Sequence, residues 1–269
     1  MRIHPVWTGA LRQRQALAAA EACARLLRLN ADASALRDAH HLTRPADDPG
    51  SAGRLHRMWR DFAAKPLRMD KAFIARLAEG LDMDIAGVAF DELAAAAMAA
   101  ASGSSPVEAA AAMAVKVVAL VGPRDHARAE ILAWAISDAV LAEKLGWRTA
   151  IPLMAIAAKT CHDGRRIRPG DPGWVLACHR LFAAAAMDAA GRAVDLQRRA
   201  RKLAQAVEGL RSQGNEAALA ELVSDDSVSA TSVTGLGSER AARRFLERLH
   251  GLGVLREFSG RKTFRLYGM

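Results

Sequence analysis

Residues Ser229 to Tyr267, SATSVTGLGSERAARRFLERLHGLGVLREFSGRKTFRLY, determine more of the predicted architecture than any other part of the chain. We predict a short helix at Ser229–Thr234 and a turn at Gly235-Leu236-Gly237. Ser238 is then the predicted N-cap of a helix from Glu239 to His250, because a serine hydroxyl accepts a hydrogen bond from a free amide of the first turn. Two helices joined by a turn are typical of DNA-binding modules.

A β-hairpin is predicted to follow. Gly251 and Gly253 end the helix, and the segments Val254–Phe258 and Thr263–Tyr267 have the composition of strands. The segment Ser259–Lys262 is the predicted tight turn between them. Helix, turn, helix and hairpin is the order of elements in a winged helix.

The last helix is predicted to have an apolar face and an arginine-rich face. A helix in the major groove of DNA needs such a basic face, and its N-terminal half usually contacts the bases. The tip of a hairpin can contact phosphates or a minor groove. The predicted DNA-binding residues are Arg240, Arg243, Arg244, Arg248, Arg261 and Lys262.

The net charge of +9 over 269 residues is unevenly distributed. Leu236–Met269 carries eight basic and three acidic residues, Met1–Arg28 carries five and one, and Asp195–Arg211 carries five and two. The rest of the chain is therefore acidic, with a net charge of −3. A G+C-rich genome accounts for abundant alanine and arginine, but it does not predict this polarisation, whereas an anionic partner does.

The composition favours helices and nearly excludes an all-β fold. Hydrophobic residues make up 51% of the chain and aromatic residues only 5%, so the apolar content is mostly alanine and other helix-forming residues. Periodicity and capping residues predict helices at Gly9–Leu29, Ser34–Leu42, Asp70–Gly80 and Asp91–Ala101, another from the Ser105-Pro106 cap to Gly122-Pro123, and one from Arg124 to Leu145 that ends at Gly146.

The longest predicted helix begins after Asp171-Pro172-Gly173. We interpret its apolar stripe either as the spine of a bundle or as the seam of a homodimer. A basic cluster, Arg198, Arg199, Arg201 and Lys202, lies mostly off the stripe and is interpreted as a solvated face. The predicted stripe consists of Val175, Phe182, Ala186, Ala189, Ala193, Leu196, Ala200, Leu203, Val207 and Leu210.

An internal repeat is predicted from two similar segments. Asp48-Pro49-Gly50 is followed after five residues by His56-Arg57-Met58-Trp59, and Asp171-Pro172-Gly173 after five residues by His179-Arg180-Leu181-Phe182. A bundle of two similar halves would produce this pattern. The aspartates and histidines then either cap and pack helices or form a pseudo-twofold site.

No catalytic, metal or membrane motif stands out. Cys161-His162 and Cys178-His179 resemble a paired ligand pattern, but adjacent helical side chains diverge by about 100°, so we predict no metal. The three cysteines are interpreted as reduced core thiols. With no signal peptide and no apolar stretch of about 20 residues, we predict a cytoplasmic protein that is not an enzyme and has no cofactor.

The chain resembles an uncharacterised alphaproteobacterial family, the domain of unknown function fourteen-zero-three. The resemblance rests on Leu36–Pro45 with Asp47–Gly50 and Ala52-Gly53-Arg54, on Leu145-Gly146-Trp147, on Arg168–Trp174, and on the tail from Ala241 to Gly268. It implies a bacterial replicon setting, since family members often reside on large plasmids. It implies no activity and no catalytic residue.

Together these features predict a mainly helical protein. An alanine-rich bundle with an internal twofold repeat is predicted at 1–213, and a winged helix with a small β-hairpin at 214–269. The predicted function is that of a transcriptional regulator or plasmid-maintenance factor that binds double-stranded DNA, with a bundle that either forms a homodimer or senses a signal. The alternatives are an adaptor in a DNA segregation or maintenance complex, whose winged helix binds a protein, and an enzyme that uses His56 and His179.

Overall fold

The computed structural model describes residues 5–44, 46–85, 87–102, 105–122, 125–158, 167–208 and 215–269. Helices dominate these residues, and three short strands form one antiparallel sheet, which confirms the mainly helical prediction. The helices are α1 (Thr8–Leu26), α2 (Ala33–Leu42), α3 (Gly50–Ala64), α4 (Lys71–Gly80), α5 (Gly87–Ser102), α6 (Pro106–Val121), α7 (His126–Lys144), α8 (Met154–Ala157), α9 (Trp174–Glu208), α10 (Asn215–Ser224) and α11 (Glu239–Gly251). The strands are β1 (Val228–Ser229), β2 (Arg256–Glu257) and β3 (Leu266–Gly268).

Several helices begin and end at the predicted capping residues. The Ser105 hydroxyl accepts a hydrogen bond from the Glu108 amide at 3.3 Å, and the Asp70 carboxylate accepts one from the Phe73 amide at 2.7 Å. Gly146 follows α7 with a φ of +65°, a conformation that glycine adopts at no steric cost. The N-cap of α7 is Asp125; the predicted start, Arg124, lies outside the described residues.

The chain divides into two compact units, and the division falls inside α1 and inside α9. The bundle unit comprises Gln15–Met187, and the C-terminal unit comprises Met1–Arg14 with Asp188–Met269. The domain boundary predicted between residues 213 and 214 falls in the segment 209–214, which lies outside the described residues. The C-terminal unit is larger than the predicted winged helix because the start of α1 and the second half of α9 share its hydrophobic core.

The bundle unit is built around α7. Every residue from Ala129 to Ala142 is buried, as expected of a helix that is surrounded by others. The most extensive packing in this unit is between α6 and α7. Buried polar groups have partners across the packing: the Ser137 hydroxyl donates to the Ala110 carbonyl at 2.9 Å, and the Trp174 indole donates to the Ala111 carbonyl at 3.0 Å.

Arg54 holds the Asp-Pro-Gly turn that precedes α3. Its guanidinium donates to both carboxylate oxygens of Asp82 at 2.8 Å and to Asp48 at 2.5 Å. Asp48 also accepts from the Gly50 amide at 3.0 Å, and Gly50 has a φ of +69°. The first copy of the repeated motif is therefore a structural turn.

The predicted twofold repeat is not confirmed. Gly173, like Gly50, has a positive φ, but Asp48 accepts a hydrogen bond from the Gly50 amide whereas Asp171 accepts one from the Arg168 amide. The histidines that follow do not share an environment: His56 is buried with Nδ1 3.0 Å from the Leu36 carbonyl oxygen, whereas His179 is exposed. In α9 the residue buried at this point is Cys178, which immediately precedes His179.

The predicted stripe of α9 is correct in the second half of the helix and only partly correct in the first, where Phe182 is buried as predicted. Leu196, Ala200, Leu203 and Val207 are buried, but Val175 and Ala186 are exposed. Four consecutive alanines at 183–186 leave the phase of the pattern undetermined, because each of them fits an apolar face equally well. Leu210 lies outside the described residues, and the residues actually buried in the first half are Trp174, Cys178, Phe182 and Ala185.

The short helix predicted at Ser229–Thr234 is wrong. Ser229 pairs with Leu266 in the sheet, and its carbonyl oxygen accepts hydrogen bonds from the amides of Ser232 and Val233, both at 3.2 Å. The Ser232 hydroxyl in turn accepts from the Ser229 amide at 2.9 Å. Serine side chains that bond to neighbouring backbone groups favour turns over helices, and a strand followed by a turn replaces the helix.

The sheet lies in the C-terminal unit and has the order β1-β3-β2. Tyr267 in the central strand pairs with Val228 on one side and with Glu257 on the other, and both pairings are antiparallel. The side chains of Val228 and Tyr267 belong to the same core as Leu246 and Leu249 of α11. The core therefore fixes the sheet against one face of α11.

Candidate nucleic-acid interface

Helix α11 is positioned by its cap and its apolar face. The Ser238 hydroxyl accepts a hydrogen bond from the Ala241 amide at 3.2 Å, which confirms the predicted N-cap. Glu239 lies in the first turn, where a negative charge complements the helix dipole. The buried face consists of Ala242, Phe245, Leu246 and Leu249, as the sequence predicts.

Three of the predicted arginines form one exposed stripe. Arg240, Arg244 and Arg248 are four residues apart, so their side chains lie along one face of α11, opposite the buried face. In the part of the chain that the structure describes, none of the three forms an ion pair. We call this set the arginine stripe; its guanidinium groups are accessible to an external anion.

Arg243 lies on a different face, beside the hairpin. Its guanidinium forms an ion pair of 2.8 Å with Glu239, one turn earlier in the helix. Both residues line a cavity of about 100 Å³ together with Glu247 and Lys262. The structure thus brings Arg243 and Lys262 to one groove, but two carboxylates share that groove with them.

The connection between β2 and β3 is longer than predicted. It runs from Phe258 to Arg265 and not through a tight turn at Ser259–Lys262. The start of this segment is held by hydrogen bonds to the Glu257 carboxylate. This carboxylate accepts hydrogen bonds from the amides of Ser259 and Gly260, both at 2.8 Å, and from the Ser259 hydroxyl. Burial opposes ionisation of Glu257, but the hydrogen bonds from Ser259 outweigh it and lower the pKa of this carboxyl.

The two predicted basic residues of this connection differ in exposure. Lys262 is exposed, and Arg261 is half-buried with its carbonyl oxygen accepting a hydrogen bond from the Arg265 Nε at 3.0 Å. The sequence prediction missed Arg265, which lines the same groove as Lys262. Its position between two apolar residues of the predicted strand Thr263–Tyr267, Phe264 and Leu266, is the signal that could have identified it as an outward side chain.

Cys178 is buried, and burial raises the pKa of its thiol to about 12, which fits the predicted unreactive core cysteine. Cys161 and His162, half of the paired cysteine-histidine pattern, lie outside the described residues. Within the described ranges, no three histidine, cysteine or acidic side chains are grouped so that they could hold a metal ion.

Among the same residues, no helix has the length and apolar character that are needed to cross a membrane.

The fold and this surface define a mainly helical protein that carries a small antiparallel sheet and an exposed arginine-bearing helix near its C-terminus. A family model described as Protein of unknown function (DUF1403) matches residues 1–269, and the chain belongs to this family. The resemblance drawn from the sequence motifs is thereby confirmed at the level of the family. No curated protein matches the chain.

Proposed function

We propose that the protein binds double-stranded DNA through a winged-helix module formed by the last part of the C-terminal unit. The observation that carries the proposal is the arginine stripe, Arg240, Arg244 and Arg248, which is exposed on a helix whose other face is fixed in a core. A recognition helix needs this combination, because its side chains must reach base edges while the helix itself is held rigidly.

The order of elements supports the module. Helix α10, strand β1, helix α11 and the strands β2 and β3 follow one another, and the hairpin strand β3 lies between β1 and β2. This order is typical of winged helices. The module departs from the pattern between β1 and α11, where residues 230–238 form turns in place of a helix.

The stripe and the hairpin would make different contacts. Arg240 and Arg244 lie in the N-terminal half of α11, which in a recognition helix contacts bases, so we assign base contacts to them. Arg248, Arg261 and Lys262 would contact phosphates, which hold the protein in register on the duplex. Arg243 is expected to contribute less than its neighbours, because its guanidinium is already paired with Glu239.

One observation favours the second candidate, an adaptor that binds a protein. Glu239 and Glu247 line the groove beside the hairpin, and carboxylates repel DNA phosphates. A groove with both signs of charge is better matched to a protein surface. The arginine stripe faces away from the core, and its three guanidinium groups outnumber the one carboxylate beside it, that of Glu247, which favours DNA.

Replacement of the stripe tests the proposal. The variant Arg240→Ala/Arg244→Ala is expected to lose about 1–3 kcal/mol of duplex binding for each base-contacting arginine, measured by fluorescence anisotropy. A matched control is Arg57→Ala/Arg76→Ala, which removes the same charge from exposed helical positions in the bundle unit. Equal affinities of the two variants would contradict the proposed recognition helix. Binding of a stable protein partner through the same face of α11, with no affinity for duplex DNA, would establish the adaptor instead.

The bundle unit would then dimerise or sense a signal, and the protein would act as a transcriptional regulator or a plasmid-maintenance factor. No catalytic step is part of this proposal.

A further inference from the structure

A second basic surface lies on α9, within the C-terminal unit. Asp195, Arg198, Arg199 and Lys202 line a cavity of about 300 Å³ with the turn at Gly253-Val254, which follows α11. Pockets that bind small molecules have volumes of about 300–1,000 Å³. The sequence interprets these basic residues as a solvated face, but the structure places them around a concave site.

The charges of this cavity are arranged around one carboxylate. Asp195 accepts hydrogen bonds from the Arg199 Nε at 2.6 Å and from Arg198 at 3.2 Å. The Arg199 hydrogen bond is the main cause of the lowered pKa of Asp195, so this carboxyl is ionised at neutral pH. Three cations and one anion leave the cavity with a net charge of +2.

Each basic side chain keeps donors for a further partner. A guanidinium has five N–H donors, and the hydrogen bonds of Arg198 and Arg199 to Asp195 use only part of them. Within the described residues Lys202 forms no ion pair, so its ammonium group is available. Asp195 therefore holds two guanidinium groups in place without neutralising the cavity.

We propose that this cavity binds a phosphate group, with Arg198 and Lys202 as the principal contacts and Arg199 held in place by Asp195. A phosphate group carries nearly two negative charges and accepts several charge-assisted hydrogen bonds, which matches the two uncompensated cations. Four of the six residues that line the cavity are charged and three of these are cations, so a charged anionic group matches it better than an apolar compound.

The phosphate group has two sources that the chemistry alone does not separate. It is either a backbone phosphate of bound DNA or part of a free phosphorylated molecule. The first source rests on the proposed DNA-binding function, whereas the second does not. Both sources are tested with the same variants of the full chain.

The test compares Arg198→Ala/Lys202→Ala with Arg201→Ala. Arg201 is exposed on the same helix but does not line the cavity. The single variant Lys202→Ala removes one positive charge, as Arg201→Ala does, so these two variants are compared at equal net charge. Neither cavity variant removes the Arg199–Asp195 contact, so we expect both to fold, which circular dichroism and urea unfolding will check. The two probes are inorganic phosphate, titrated at constant ionic strength in a calorimeter, and a duplex DNA, titrated at several salt concentrations.

With inorganic phosphate, we expect binding by the wild type and by Arg201→Ala, and at least about a tenfold weaker affinity in Arg198→Ala/Lys202→Ala, because each charge-assisted hydrogen bond is worth more than one factor of ten. With DNA, we expect the slope of log affinity against log salt to fall by about 1 for each phosphate that the variant no longer neutralises. An effect with DNA alone assigns the cavity to backbone phosphate, and an effect with inorganic phosphate alone assigns it to a free phosphorylated molecule.

The proposal is overturned if the cavity variants and Arg201→Ala behave alike with both probes. Failure of the DNA-binding function is a separate result. In that case Arg240→Ala/Arg244→Ala leaves duplex binding unchanged, while the phosphate titration still distinguishes the cavity variants from their control.

Discussion

At the residue scale, Asp138 is the most unusual titratable group of the bundle unit. Its carboxylate is buried in α7 and accepts hydrogen bonds from the amides of Leu153 at 2.8 Å and Met154 at 3.1 Å, at the start of α8. Burial raises the pKa of Asp138 to about 8, although the two hydrogen bonds oppose this shift. At neutral pH the Asp138 side chain is therefore mainly protonated, and it links α7 to the start of α8 in this uncharged form.

A dependence of stability on pH follows. Between pH 4 and about 8 the folded state retains a proton on Asp138 that the unfolded chain releases, so the contribution of this group to stability falls as pH rises. Asp138→Asn keeps an acceptor oxygen and cannot ionise. We expect the variant to lose less stability than the wild type between pH 5 and 8, by at most about 1.4 kcal/mol per pH unit, measured by urea unfolding. Identical pH dependence of the two proteins would contradict the burial of an ionisable Asp138.

At the element scale, a close approach of α1 and α10 tests how the C-terminal unit is built. A Cβ atom added to Gly9 would lie 2.6 Å from the Ser224 carbonyl oxygen, and backbone atoms cannot move aside cheaply. Gly9→Ala is therefore expected to lower the free energy of unfolding by about 1–3 kcal/mol. Gly191→Ala in α9 is the control: apart from its own helix backbone and chain neighbours, no atom of the described residues lies within 4 Å of the added carbon, so alanine should raise stability by about 0.5–1 kcal/mol. Denaturant unfolding of both variants measures the difference, and a stabilising Gly9→Ala would exclude the close packing.

The sequence predicts the helices well where a cap defines the first residue. Ser105 and Ser238 each precede a helix and accept the expected hydrogen bond, because capping is a local interaction. The prediction fails at Ser229–Thr234, where pairing with β3, more than 30 residues later in the chain, overrides the local pattern. It also fails at Val175 and Ala186 in the first half of α9, where a run of four alanines leaves the phase of the apolar pattern undetermined.

Part of the candidate site could also be predicted, because some of its features depend only on the local sequence. The amphipathic pattern of α11 is local, so the exposed face with Arg240 and Arg244 follows from the sequence. The pairing of Glu239 with Arg243 has the i,i+4 spacing of a helical ion pair, so it could have been predicted from the sequence. The groove that joins Arg243 to Lys262 depends on the approach of the hairpin to the helix and could not.

At the scale of the whole molecule, the arrangement of the charges is more informative than their sum. Residues 215–269 contain eight basic and seven acidic residues, so their net charge is only +1. Several of the acidic residues are engaged within the C-terminal unit: Glu221 accepts hydrogen bonds from Thr234, and Asp226 pairs with Arg14 at 3.5 Å. Neither carboxylate belongs to α11, and the arginine stripe, with only Glu247 beside it, keeps an excess of positive charge.

Selection of the full chain against random duplex DNA, at a low and a moderate salt concentration with sequencing of the retained duplexes, tests whether this surface recognises DNA. We expect one sequence to be enriched and retained at the higher salt, since base contacts supply specificity in addition to the salt-sensitive phosphate term. The same selection with Arg240→Ala/Arg244→Ala should lose the enrichment. Retention without any enriched sequence, or no retention at low salt, would contradict a DNA-reading role for α11.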